Sequence, residues 1–213
     1  IKNIYILLTK KNKVINSTTN SIYDISEKNK YCDENSPLKP ISLYGRTKCD
    51  GEHLVRSKIK NQVCFRLATV FGHSYRMRSD LLVNNFVFTA IKKKKLTLFE
   101  PHFRRNFIHV RDVVNAIIFT IKNFNRLRGD VYNLGLSSAN ISKIMLAKKI
   151  KKKYKKLKIK IVTNRKDPDK RDYFVSNKKI EKKGFKAKIS LNEGISELIQ
   201  IFSNDKNKVI NNY

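Results

Sequence analysis

Tyr44-Gly45-Arg46-Thr47-Lys48 opens a helical stretch, Tyr44–Ile59, whose setting decides the fold. Upstream, Lys13-Val14-Ile15-Asn16-Ser17 reads as a short buried strand. It runs into the hydroxyl-rich Ser17-Thr18-Thr19-Asn20-Ser21 and a polar 17-residue loop, Asp24–Pro40, with Glu27, Asp33, Glu34, Pro37 and Pro40. Downstream, Val63–Ala68 is an apolar strand. A strand–loop–helix–strand unit of this kind predicts a parallel α/β fold. Within the helix, Tyr-x-x-x-Lys places a phenol and an ammonium one turn apart on one face. An ammonium that close favours the phenolate, turning a poor base into a usable one near neutral pH. A surface helix with an exposed lysine shows the same pattern, so the motif needs company. The hydroxyl-rich stretch is either an ordinary polar turn or part of a ligand site, since open α/β sheets bind ligands at the C-terminal ends of their strands.

Further out, the pattern predicts a helix over Leu81–Lys94 and a strand over Leu96–Phe99. Arg104–Asp112 reads as a strand ending at a helix N-cap, Asp112. The helix beyond it carries Val113, Ile117 and Ile121 on one face with Val114 and Ile118 beside them, which predicts a core face. Val131–Gly135 reads as a strand and turn, Asn140–Lys153 as a helix and Lys158–Val162 as a strand. Leu191, Ile195, Leu198, Ile199 and Phe202 mark a closing amphipathic helix. Ile1, Ile4, Tyr5 and Leu8 have the spacing of a helix tail, and the last dozen residues read as a frayed end.

The 213 residues suffice for one large domain or two small ones. No run of 18 apolar residues is present, which argues against a membrane span. Three cysteines (Cys32, Cys49, Cys64) without a Cys-x-x-Cys pair argue against a disulfide framework or zinc site and fit a reducing cytoplasm. The net charge of +30, from 47 Lys+Arg against 17 Asp+Glu, raises the question of nucleic acid. The excess is mostly lysine spread along the chain, thickest at Lys92–Lys95 and Lys148–Lys160, and predicts non-specific attraction rather than base readout.

Six stretches in order carry a resemblance: Ser17-Thr18-Thr19…Tyr23, Tyr44-x-x-x-Lys48, Arg66-Leu67-Ala68-Thr69-Val70-Phe71-Gly72, Arg105-Asn106-Phe107-Ile108-His109-Val110-x-Asp112, Tyr132-Asn133-Leu134-Gly135 and Arg171-Asp172. Together they resemble the extended short-chain dehydrogenase/reductases of the NAD-dependent nucleotide-sugar epimerase/dehydratase family. Thr19-Asn20-Ser21, Ser36–Ser42, Arg76–Asn84 and Asp167–Tyr173 look closest to a branch that oxidises GDP-activated heptoses at C4. The implied fold is α/β: the C-terminal portion of a Rossmann-like parallel sheet plus a small α/β substrate-binding lobe. The implied organisation is an incomplete Rossmann-like domain over 1–75, a mainly substrate-binding lobe over 76–205 with segments returning to the Rossmann core, and a tail over 206–213.

The resemblance implies a nucleotide-sugar oxidoreductase or epimerase acting at sugar C4 through a 4-keto species. Thr19 would hydrogen-bond the C4 hydroxyl, Tyr44 would take its proton, and Lys48 would hold the cofactor ribose and stabilise the phenolate. Tyr44, Lys48 and Thr69 would contact NAD (or NADP), while Asn84, Arg105 and Arg171 would bind the nucleotide diphosphate. Dehydratases of the family follow the Thr with Asp-Glu; here Asn20 and Ser21 stand there, which disfavours the alternative 4,6-dehydratase reading. His109 is expected to pack at a strand end. Family members are commonly homodimers in the cytoplasm, and neither a membrane nor a specific nucleic acid partner is expected; a basic polyanion- or RNA-binding module is the rival of another class. None of the seven glycines makes the Gly-x-x-Gly-x-x-Gly loop that receives the NAD pyrophosphate, so little or no independent turnover is expected of this fragment.

Overall fold

The computed structural model describes residues 11–23, 31–163 and 172–204. In chain order the first elements are β1 (Val14–Thr19), β2 (Tyr31–Cys32), α1 (Leu43–Lys58), β3 (Gln62–Leu67), β4 (Thr69–Phe71), α2 (Leu82–Lys93), β5 (Lys95–Phe99), β6 (Arg104–His109) and α3 (Val110–Lys122). They are followed by α4 (Phe124–Leu127), β7 (Asp130–Leu134), β8 (Asn140–Ser142), α5 (Lys143–Lys153), β9 (Lys158–Val162), β10 (Phe174–Val175), α6 (Lys178–Lys182) and α7 (Leu191–Ser203).

The sheet β1-β3-β7 is wholly parallel, with Ile15 opposite Val63 and Phe65 opposite Tyr132. Its middle strand is buried almost throughout, as expected of a parallel strand covered on both faces. Side chains alternate along it. Val63 and Phe65 enter the main core with Tyr132, Leu134, Ile195 and Leu198, whereas Cys64 packs with Val55 of α1 and Val131. The described residues form three further sheets: a second three-stranded one, β4-β6-β8, in which β8 runs antiparallel to β6, and the parallel pairs β5-β9 and β2-β10.

The helix ends follow local chemistry. Ser42 Oγ accepts from the Gly45 amide at 3.0 Å and starts α1. Ser190 and Glu193 form a reciprocal capping box that starts α7, whose Leu191, Ile195, Leu198 and Phe202 are buried.

Three expectations need correction. Asp112 is not the cap of α3: the helix begins at Val110, and His109 Nδ1 accepts from the Arg111 amide at 3.2 Å. Asp112 instead accepts from the amides of Lys188 and Ile189, at 3.1 and 2.8 Å. The helix expected from Asn140 begins at Lys143, because Asn140–Ser142 pair with Arg104–Asn106 and sheet pairing wins. Finally, α3 buries Asp112, Ala116 and Thr120 and packs the partly buried Val113 against the core as expected, while Val114, Ile118 and Ile121 are 50, 45 and 61% exposed. The expected opening helix and the tail lie outside the described residues. No helix among the described residues is long and apolar enough to cross a membrane.

Candidate active site

β1 and β3 end side by side, Thr19 opposite Leu67. Beyond these C-terminal ends lies a cleft of about 550 Å³, lined by Thr19, Ser21, Tyr44, Thr69 and Arg105 among others. Thr19 is buried at the end of β1, where its hydroxyl accepts from the Ser21 amide and donates to Ser21 Oγ, both at 3.1 Å. Tyr44 stands in the first turn of α1 and is 55% exposed. Lys48, one turn on, donates to the Ser17 carbonyl at 3.4 Å, with its ammonium 5.9 Å from the centre of the Tyr44 ring. Gly45 permits this close docking of helix to strand. A Cβ there would lie 2.8 Å from the Ser21 carbonyl oxygen.

Two residues to which the sequence reading assigned no site role fasten the same helix. Glu52, one further turn along the Tyr44–Lys48 face, is buried and accepts from Thr18 Oγ1 at 2.9 Å. Arg66 of β3 reaches it with Nη2 at 2.6 Å and Nε at 3.1 Å. Arg66 also donates to Tyr23 Oη at 2.8 Å, and Tyr23 donates to Asn133 Oδ1 at 2.7 Å. Burial raises the Tyr23 phenol above its ordinary value and Glu34 likewise, although Glu34 accepts from the Asn133 amide at 2.7 Å. The signals were available: Glu52 falls at i+4 from Lys48, and Arg66 is a charge inside an apolar strand.

On the opposite wall Arg105 is buried, donates from Nη1 to the Arg104 carbonyl at 2.8 Å and lies 5.5 Å over the Tyr173 ring. Thr69 reaches the cleft from β4. Asn84 is buried and does not line the cleft; it accepts from the Gly72 amide at 3.0 Å and donates to the Arg78 carbonyl at 2.9 Å. It thus holds the loop that carries Arg78 to the rim, where Arg78 pairs with Asp80. Arg171 lies outside the described residues; its neighbour Asp172 accepts from the amide and Nε of Arg104, at 2.8 and 2.9 Å. His109 packs at its strand end, its Nε2 2.9 Å from Glu197 Oε2. Because Nδ1 accepts from Arg111, Nε2 carries the proton and donates to Glu197. Among the described residues no cluster of three His, Cys, Asp or Glu is placed to hold a metal.

A sequence profile of the NAD dependent epimerase/dehydratase family matches residues 5–135. The ADP-L-glycero-D-manno-heptose-6-epimerase of Brachyspira hyodysenteriae is 30% identical over 175 residues, 76% of this chain and 53% of that protein. The uncharacterized protein MJ1055 of Methanocaldococcus jannaschii is 27% identical over 205 residues, 91% of this chain and 60% of that protein. Among solved structures, the dTDP-glucose 4,6-dehydratase of Bacillus anthracis in complex with NAD superposes with a TM-score of 0.83 at 21% identity, over 96% of this chain and 66% of that one. The UDP-glucuronic acid 4-epimerase of Bacillus cereus, in complex with UDP-glucuronic acid and NAD, gives 0.77 at 22% identity, over 91% and 63%. The chain therefore spans roughly half to two-thirds of the length of these proteins. With the profile covering more than half of its residues, this chain belongs to the NAD dependent epimerase/dehydratase family.

Proposed function

We propose that the cleft binds a nucleotide-diphosphate sugar and that the protein acts at C4 of its sugar through a 4-keto species. The observation that carries this reading is the convergence of Thr19, Tyr44 and Arg105 on one cleft at the C-terminal ends of parallel strands. Thr19 orients the C4 hydroxyl, and the exposed Tyr44 is proposed to take its proton as the phenolate. Lys48, held on the Ser17 carbonyl, stabilises that phenolate and offers its ammonium to a ribose hydroxyl. These groups fit the nicotinamide-ribose end of NAD, with Thr69 beside them on the cleft wall. When bound, the nicotinamide supplies the hydride acceptor. Arg105, stacked on Tyr173, presents a planar guanidinium suited to bidentate phosphate contact, and Arg171 is proposed to join it. Asn84 is proposed to serve the substrate indirectly, by holding the Arg78 loop.

Elimination of water needs an acid and a base after the threonine, and Asn20 and Ser21 supply no carboxylate. Epimerisation or net C4 oxidation, of heptose-type sugars among others, is thus favoured over dehydration. The test is a single-turnover assay at 340 nm with NAD and a panel of GDP-, ADP-, UDP- and dTDP-sugars. Because the chain spans part of its relatives' length, the polypeptide encoded by the complete gene is used. Reduction of NAD by one of these sugars, lost in Tyr44→Phe, is expected. Equal turnover in Tyr44→Phe overturns the assignment.

A further inference from the structure

Lys143 is the first residue of α5, is only 4% exposed, and lines the cleft. A cation there works against the helix, whose N-terminus carries partial positive charge, and burial of an ammonium adds a desolvation cost. The first backbone amides of α5 cannot serve an incoming anion. Those of Lys143 and Ile144 donate to the carbonyls of Phe103 and Pro101, at 3.1 and 2.9 Å, and that of Met145 to Ser142 Oγ at 3.4 Å. The charge is nevertheless carefully placed: the ammonium donates to the Phe99 carbonyl at 2.7 Å and lies 5.3 Å over the Phe103 ring.

Arg105 stands next to it through the sheet register. Arg105 opposes Ile141 on the antiparallel ladder of β6 and β8, and Lys143 begins α5 directly after the last paired residue, Ser142, so the ladder brings both residues to the same part of the cleft. Both cations line the one cleft, the Lys143 ammonium anchored on the Phe99 carbonyl and the Arg105 guanidinium on the Arg104 carbonyl. We propose that Lys143 is a ligand-binding residue, forming with Arg105 a two-cation clamp that selects ligands carrying a diphosphate. The inference rests on the nucleotide-sugar reading of the cleft and adds to it a residue and a basis for selectivity.

The test is isothermal titration at physiological salt with inorganic pyrophosphate, UDP, GDP and uridine. Lys143→Met is expected to weaken pyrophosphate and the nucleoside diphosphates by about tenfold or more, the scale of one lost charged hydrogen bond. Uridine binding stays unchanged, and Lys143→Arg restores most of the affinity. Lys153→Met, which removes the same charge from the exposed end of α5, leaves binding within about twofold. Where Lys143→Met does not fold, as judged by circular dichroism, Lys143→Gln and Lys143→Arg carry the comparison. Wild-type affinity without the Lys143 charge, or an equal loss in Lys153→Met, overturns the proposal. In the first case Arg105→Met separates the two claims: if it weakens diphosphate binding, the cleft reading stands and only the clamp falls. If it too binds as wild type, both fall.

Discussion

Glu52 of α1 and Arg66 of β3 form a bidentate ion pair, with each side chain 2% exposed and the shortest contact 2.6 Å. Because Glu52 also accepts from Thr18, one residue before Thr19, the pair ties the Tyr44 helix to the strand that ends in the cleft. Removing one partner leaves a buried charge uncompensated. Glu52→Ala is therefore expected to cost about 3–5 kcal/mol in urea unfolding. The double variant Glu52→Leu/Arg66→Met should recover at least half of that loss. A double variant as unstable as the single one would show that the charge balance is not the source of the cost.

At Gly45 the obstacle is the Ser21 carbonyl, a backbone atom that cannot swing aside. Gly45→Ala should push α1 away from the turn after Thr19 and cost about 1–3 kcal/mol. The unfolding midpoint measures the strain, and turnover should fall further than the stability loss alone implies. A neutral Gly45→Ala would mean that the helix does not dock as closely as described.

Asn84 fixes the Gly72–Arg78 loop with three hydrogen bonds to backbone groups, at 3.0, 3.4 and 2.9 Å. Asn84→Ala is expected to lower stability by about 1–3 kcal/mol, since buried amide and carbonyl groups lose their partner. On the proposed reading it should raise KM for the sugar nucleotide more than it lowers kcat. The reverse pattern would argue for a direct catalytic contact.

Burial holds His109 below the ordinary histidine value, against the pull of the Glu197 carboxylate. The unfolded chain thus takes up a proton at about pH 6.5 while the folded one resists. The stability tied to a neutral His109 is complete above that pH and is lost as pH falls toward the lower folded value. Melting temperature should decline between pH 7 and 5.5, and His109→Gln should flatten that decline. An unchanged slope in His109→Gln would assign it to other groups.

Much of this was legible from local pattern. Lys158–Val162 is a strand with the bounds expected of it, and the helices over Leu43–Lys58 and Leu82–Lys93 fall within a residue of expectation. Asn140–Ser142 was misread because the partner that makes it a strand, Arg104–Asn106, lies far away in sequence. The buried side of α3 was misjudged for a related reason. Apolar periodicity cannot show that the contact runs over Ala116 and Thr120 and leaves Ile121 outside. In the cleft, Thr19, Tyr44, Thr69 and Arg105 could be named from motifs, whereas Lys143 became visible only when its neighbours were in place.

The most direct test of the central claim is to label the oxidised carbon. The complete gene product is mixed with NAD and its sugar nucleotide, quenched during turnover with sodium borodeuteride, and the sugar analysed by mass spectrometry. Deuterium at C4, absent when Tyr44→Phe replaces the wild type, is the predicted result. Deuterium at another carbon, or turnover without any trapped ketone, would contradict C4 oxidation by the Thr19–Tyr44–Lys48 site.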